Sequence, residues 1–184
     1  MAYPILKLLF YPLCRIFIKK IKGIENIPNE KTFIIVANHE TTRDHLLIYY
    51  PILKKSNKKI HFIATPVWWF NIISRQWAGV IPMYSPKQAY RKAKELIKSG
   101  EIVGIFPEGR LERKKRRESP KTGAIRLALE TNTPILPIGI RFSYLPFNSK
   151  ISIGKPLYFN KNKEDMKQQT RHLMKLVYKL RDSV

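Results

Sequence analysis

Short apolar runs separated by amphipathic stretches dominate the pattern of this chain. Residues 33–37, 60–64, 80–83, 102–106 and 135–140 are rich in isoleucine and valine. Each has the length of a buried strand, and those at 33–37 and 102–106 stop at Asn38 and Pro107. Residues 151–153 and 157–159 are shorter candidates. Between these runs, 44–53, 67–77, 86–98 and 122–130 repeat their apolar positions at helical spacing, and 163–181 places Met166, Leu173, Met174, Val177 and Leu180 on one helix face. Pro86 at a helix start and Gly100 after a lysine-rich last turn are the expected punctuation. Strand and helix alternating in this way predict an α/β fold: one domain, with a largely parallel sheet covered by helices. No internal repeat or low-complexity tract is present.

The first strand run ends in Asn38-His-Glu-Thr-Thr-Arg-Asp44. A strand that stops at a polar turn delivers its last side chains to the rim of the sheet, where substrates bind in such folds. At that rim an imidazole can take a proton from a hydroxyl. A carboxylate one helical turn away can fix its tautomer and stabilise the imidazolium that forms. His39 and Asp44 are therefore the candidate catalytic pair for acyl transfer. Asp44 also fits the reciprocal carboxylate of a helix N-cap beginning at Thr41, and the two roles are compatible. No serine or cysteine stands beside His39 to serve as a nucleophile, so direct attack by an acceptor hydroxyl is expected, without a covalent intermediate.

Charge narrows the class of partner. The 184 residues carry a formal net charge of +22, with 44% hydrophobic and 11% aromatic residues. A chain this apolar supports a folded core, and a charge this high points to a polyanionic partner: nucleic acid, anionic lipid headgroups or a phosphorylated substrate. A single cysteine, Cys14, excludes an intramolecular disulfide and reads as a packing residue. The four histidines show no zinc spacing, and no metal is expected.

The stretch from Tyr3 to Ile18 is apolar but broken by Pro4, Lys7, Pro12 and Arg15. A spanning helix wants roughly 20 mostly apolar residues, so an amphipathic segment at the membrane interface fits better, with Lys19, Lys20 and Lys22 facing anionic headgroups. Packing of this segment on the domain's own core is the competing reading. Trp68, Trp69, Phe70 and Trp77 suit either a second interfacial surface or the core. The expected organisation is an N-terminal amphipathic membrane-anchoring segment, 1–22, and a catalytic domain, 23–184. The protein is expected to be membrane-associated, peripheral or monotopic, on the cytoplasmic face.

Three blocks carry a family resemblance: Asn38-His-x4-Asp44, Phe106-Pro-Glu-Gly109 and Thr133-Pro-Ile-Leu-Pro137. In this order and spacing they resemble the glycerolipid acyltransferases, the 1-acylglycerol-3-phosphate acyltransferases. The likeness begins near Gly23-Ile-Glu-Asn-Ile-Pro28 and runs to about Leu157. It implies transfer of a fatty acyl group from acyl-coenzyme A or acyl carrier protein to a lysophospholipid acceptor, with no further cofactor. By the same resemblance Glu108, Gly109, Arg110 and Lys121 bind the acceptor's glycerol phosphate, while Thr133, Pro134 and Pro137 shape a strand.

Two departures stand out. The family places a threonine directly after the glycine of its glutamate block, where this chain has Arg110. In the family's second block an arginine is expected where this chain has Ser85, which leaves Lys87 or Arg91 as substitutes or a different lysophospholipid or glycolipid as acceptor. The basic run Arg113-Lys-Lys-Arg-Arg117 reads as a surface loop. A basic nucleic-acid-binding module is the reading from another class. It accounts for the charge but not for His39, Asp44 and Glu108 at family spacing.

Overall fold

The computed structural model describes residues 14–29, 32–56, 58–64, 79–109, 119–160 and 165–184. The segments holding Trp68, Trp69, Phe70 and Trp77, the helix expected at 67–77, Arg110, the 113–117 run and most of the N-terminal stretch lie outside the described residues. Seven strands form one sheet: β1 (Ile18–Lys22), β2 (Ile34–Ala37), β3 (Ile60–Ala64), β4 (Val80–Pro82), β5 (Ile102–Ile105), β6 (Ile135–Arg141) and β7 (Ser149–Ile153), in the order β1-β7-β6-β2-β5-β3-β4. The five strands from β6 to β4 are parallel, β7 runs antiparallel to β6, and β1 pairs parallel with β7. The largely parallel α/β sheet expected from the sequence is present.

Helices cover both faces, which is why the central strands read as continuous apolar runs rather than alternating ones. Helix α1 (Asp44–Lys55) covers one face, packing Leu47, Ile48, Ile52 and Leu53 against Phe33, Ile35 and Leu136. On the other lie α2 (Pro86–Lys98), α3 (Gly123–Thr131) and α4 (Met166–Asp182), whose Ala93, Ile125, Leu127 and Val177 meet Ile34, Val36 and Val103. All four residues of β2 are buried, because successive side chains serve opposite cores. Pro134 and Pro137 belong to the sheet, their carbonyls accepting the N–H groups of Ile34 and Gly154, each at 2.9 Å. Among the described residues no helix is long and apolar enough to cross a membrane.

Two elements differ from the sequence expectation. Residues 157–159 make only an isolated antiparallel bridge, Leu157 to Ile135. Residues 18–22, assigned above to the membrane-anchoring segment, form the edge strand β1, so the sheet begins five residues before Gly23. Ile18 and Ile21 stand three apart, which is wrong for one face of a regular strand. An irregularity between Ile18 and Lys20 takes up the extra residue and returns both isoleucines to the α1-side core. Just before it, burial of Cys14 pushes its thiol up to about 11, as befits a packing residue.

Aromatic rings fill the space between α1 and the sheet near the ends of β3 and β5. Phe62 on β3 lies directly over Gly104 of β5, where an added Cβ would sit 2.2 Å from the ring. Tyr49 meets Phe62 edge-on at 5.6 Å, and His45 lies 6.2 Å from Tyr49 and 6.1 Å from Phe62. Desolvation in this setting lowers the His45 pKa from 6.5 to about 4, against a smaller opposing pull from Asp44.

Gly104→Ala forces Phe62 off the sheet, and an overpacking cost of about 1–3 kcal/mol is expected as a lower urea midpoint at unchanged m-value. His45 gives the fold a pH dependence of its own. Between its unfolded value of 6.5 and its folded value of about 4 the unfolded chain binds the extra proton, so stability falls as pH falls through that window and is flat above it. From about pH 7 to about pH 5, wild type should lose about 2 kcal/mol relative to His45→Phe in urea titrations. His61, whose pKa is also lowered by burial, is common to both proteins and cancels.

Candidate active site

The carboxyl ends of the parallel strands share one rim, and the candidate residues follow directly from them: His39 after β2, Ser85 after β4, and Phe106 to Gly109 after β5. β2 ends at Ala37, yet its ladder continues through a side chain. The buried Asn38 amide donates from Nδ2 to the Ile140 carbonyl and accepts the Ile140 N–H at Oδ1, both at 2.8 Å. The side chain thus stands in for a peptide group. β6 stays paired while the main chain turns out of the sheet to present His39. Asn38 thus holds the turn through the neighbouring strand. Glu40 adds a second tie, its Oε2 accepting the Phe142 N–H at 3.0 Å.

Asp44 is fully buried at the first turn of α1 and gathers the whole loop. Its Oδ2 faces His39 Nδ1 at 3.0 Å and accepts the N–H groups of Glu40 at 2.7 Å and Thr41 at 2.9 Å, while Oδ1 accepts the Thr41 hydroxyl at 3.0 Å. The helix cap expected to begin at Thr41 does not form: the N-cap residue is Arg43, with no side-chain cap bond, and Asp44 at the first helical position instead ties the preceding loop through the Glu40 and Thr41 N–H groups while it orients the histidine. A carboxylate only accepts, so Nδ1 carries the proton and Nε2 is left as the basic nitrogen. The His39 side chain is 20% exposed, against 0% for Asp44. The imidazole therefore meets the rim while its partner is sealed below.

The face of the imidazole rests on Phe106, with ring centroids 4.3 Å apart and planes 15° from parallel, and Phe106 in turn stacks on Phe62 at 5.5 Å. Gly104 thus supports His39 through two rings. Past Phe106 the chain turns sharply. The Gly109 N–H reaches the Phe106 carbonyl at 3.0 Å with a Gly109 φ of +68°, a left-handed conformation suited to glycine. The Lys121 N–H bonds the Pro107 carbonyl at 2.8 Å, and its side chain lies across Gly109, where an added Cβ would come within 2.9 Å of Cε and Nζ. Glu108 is held from the far side, its Oε1 accepting the Tyr178 hydroxyl of α4 at 2.8 Å.

The fold therefore joins His39 to Asp44, and Glu108 and Gly109 to Lys121, on adjacent strand ends; Arg110 lies outside the described residues. Ser85 is the N-cap residue of α2, with Lys87 and Arg91 exposed beyond it. Sequence reasoning missed the support given by Phe106, Glu40 and Tyr178. Phe106 was legible only as the end of a strand, and Tyr178 stands 70 residues from the glutamate it holds. Chemically the rim offers an oriented general base beside a loop bearing a lysine ammonium suited to an anionic acceptor.

Known proteins share this framework. A family model described as Acyltransferase matches residues 18–141. A 1-acyl-sn-glycerol-3-phosphate acyltransferase of Borreliella burgdorferi is 30% identical over 147 residues, spanning 76% of this chain and 55% of that protein. A chloroplastic enzyme of the same name from Arabidopsis thaliana is 33% identical over 139 residues, 70% of this chain and 36% of its own length. The chain thus spans about half or less of these relatives. The crystal structure of the 1-acyl-sn-glycerophosphate (LPA) acyltransferase PlsC from Thermotoga maritima superposes with a TM-score of 0.73 at 23% identity, covering 95% of this chain and 77% of that one, which shows a common fold. With the family model spanning two-thirds of its length, from the edge strand β1 to the end of β6, the chain belongs to the acyltransferase family.

Proposed function

We propose that this protein transfers a fatty acyl group from an acyl thioester to the free hydroxyl of 1-acylglycerol 3-phosphate, giving phosphatidic acid for phospholipid biosynthesis. The observation that carries the reading is the His39 Nδ1 to Asp44 Oδ2 contact of 3.0 Å, in a family whose relatives bear that activity in their names. Nε2 of His39 takes the proton of the acceptor hydroxyl as its oxygen attacks the thioester carbonyl. Asp44 stabilises the imidazolium. The tetrahedral intermediate collapses by expelling the thiolate, and the imidazolium returns the proton to sulfur. The products are the ester and the free thiol, and the step needs no metal or cofactor. Lys121 supplies an ammonium for the acceptor phosphate, with Glu108 and Gly109 forming the turn beneath it and Arg110 adjoining in sequence. The donor is acyl-coenzyme A or acyl carrier protein, and the protein works as a peripheral enzyme on an anionic membrane surface, on the cytoplasmic side.

A second reading keeps this chemistry and changes the acceptor to another lysophospholipid or a glycolipid. Ser85 favours it, since it brings no cation to the rim where the family has an arginine. Labelled acyl transfer from both donors to 1-acylglycerol 3-phosphate, beside a panel of other lyso-acceptors, separates the two. Transfer to the other acceptors alone would overturn the first.

His39→Ala should lower kcat by at least about a hundredfold, as removal of a general base does. Asp44→Asn is a sharper probe. An amide oxygen can keep the three contacts of Oδ2 while its nitrogen donates to the Thr41 hydroxyl, so the loop ahead of α1 is retained and the negative charge alone is lost. A thermal midpoint close to wild type with kcat down at least about tenfold is expected from steady-state assays and calorimetry. Lys121→Met keeps an aliphatic stem over Gly109. It should raise the acceptor KM about tenfold or more with a smaller change in kcat, as loss of a charged contact predicts.

A further inference from the structure

The loop joining β6 to β7, residues 142–148, leaves the same rim as His39 and is tied to the site loop. Phe142 N–H bonds Glu40, and the Arg43 guanidinium, one residue before Asp44, lies 5.6 Å from the centre of the Tyr144 ring. The loop is braced from inside. The buried Ser149 hydroxyl accepts the Ser143 N–H at 2.9 Å and donates to the Ser143 carbonyl at 3.2 Å, and the Ser143 hydroxyl accepts the Leu145 N–H at 3.1 Å. Yet this braced loop turns its largest apolar side chains outward. Tyr144 is 58%, Leu145 67% and Phe147 60% exposed. Phe147 holds a φ of +54°, costly for a bulky residue, and its N–H is fixed on the Ile16 carbonyl at 2.6 Å. Ile16 is itself exposed, so the apolar surface continues onto the residues that lead into β1.

A soluble surface rarely groups three large apolar side chains on a strained, well-anchored loop, and such a patch beside a site marks an interaction surface. Exposed Arg43 flanks it, as does Arg141, which also pairs with Asp182 at 3.6 Å, on a chain of net charge +22. Aromatic rings at headgroup level with guanidinium groups beside them suit an anionic bilayer, with each cation near the surface adding to the attraction. From this arrangement we propose that Tyr144, Leu145 and Phe147 form a membrane-contacting tip that enters the headgroup layer of an anionic bilayer and sets the His39 rim against it. The proposal rests on the membrane-surface reading above and assigns it to specific residues. A lipid acceptor then reaches His39 from the bilayer without crossing water.

Sedimentation of the full-length protein with vesicles of equimolar phosphatidylglycerol and phosphatidylcholine tests this without any turnover. Failure of the proposed acyl transfer would therefore leave the result readable. The triple variant Tyr144→Ser/Leu145→Ser/Phe147→Ser should bind at least about tenfold more weakly, from the apolar area it removes. Transfer to a short-chain acceptor dissolved as monomers should stay at the wild-type rate. Phe147→Asn, a residue tolerant of the left-handed conformation, should weaken binding while keeping or raising the thermal midpoint, which separates contact from folding. Cys14 is buried, so a polarity-sensitive dye on Leu145→Cys reports the tip alone, and its emission should shift to the blue when vesicles are added. Vesicle binding unchanged in the triple variant, or no dye shift, would overturn the proposal. So would a parallel loss of transfer to the monomeric acceptor, or a loss of affinity for acyl carrier protein with vesicle binding intact.

Discussion

One buried carboxylate organises the rim of this sheet. Asp44 contacts an imidazole nitrogen, two backbone N–H groups and a hydroxyl, and each lies in the short loop between β2 and α1. A carboxylate removed from water is costly unless its lone pairs are filled. The loop can therefore take few other shapes without leaving Asp44 unpaired. The orientation of His39 follows from that constraint. One oxygen both ties down the loop ahead of α1 and fixes the tautomer of His39, so the two roles are inseparable in the wild-type protein.

The constraint works because the surrounding sheet is rigid on both sides. Asn38 keeps β6 paired after β2 has ended, through two bonds of 2.8 Å to Ile140. Phe106 supports the flat face of His39 from the end of β5, resting on Phe62, which lies where Gly104 lacks a side chain. Polar ties on one edge and stacked rings on another hold the imidazole, and among the described residues no bond to Nε2 is part of that support. The Glu108 turn is clamped similarly, by Lys121 across Gly109 and by the Tyr178 hydroxyl from α4.

The polarity of the rim changes along its length. The segments that follow β2 and β5 carry the His39–Asp44 pair and Lys121, whereas the loop after β6 carries exposed rings and flanking arginines. Parallel strands make this adjacency unavoidable, because β6, β2 and β5 are neighbours and all deliver their carboxyl ends to one side. A substrate with a charged head and an apolar tail would find both chemistries within one face of the molecule.

Local order in the sequence was enough to determine much of this. The apolar run at 60–64 and the amphipathic stretch at 86–98 match a strand and a helix residue for residue, because their periods and end signals are local. The candidate base and its carboxylate were legible as well, since they stand five residues apart across a strand end and a first helical turn. β1 was not legible. Its bulge breaks the period of two, and the burial of Ile18 depends on β7, more than a hundred residues away. Nor could sequence show that Asn38 completes the β6 ladder, that Phe106 carries His39, or that Tyr178 holds Glu108. Each is a contact between residues distant in sequence, decided only when helices close over both faces of the sheet and bring those side chains within bonding distance.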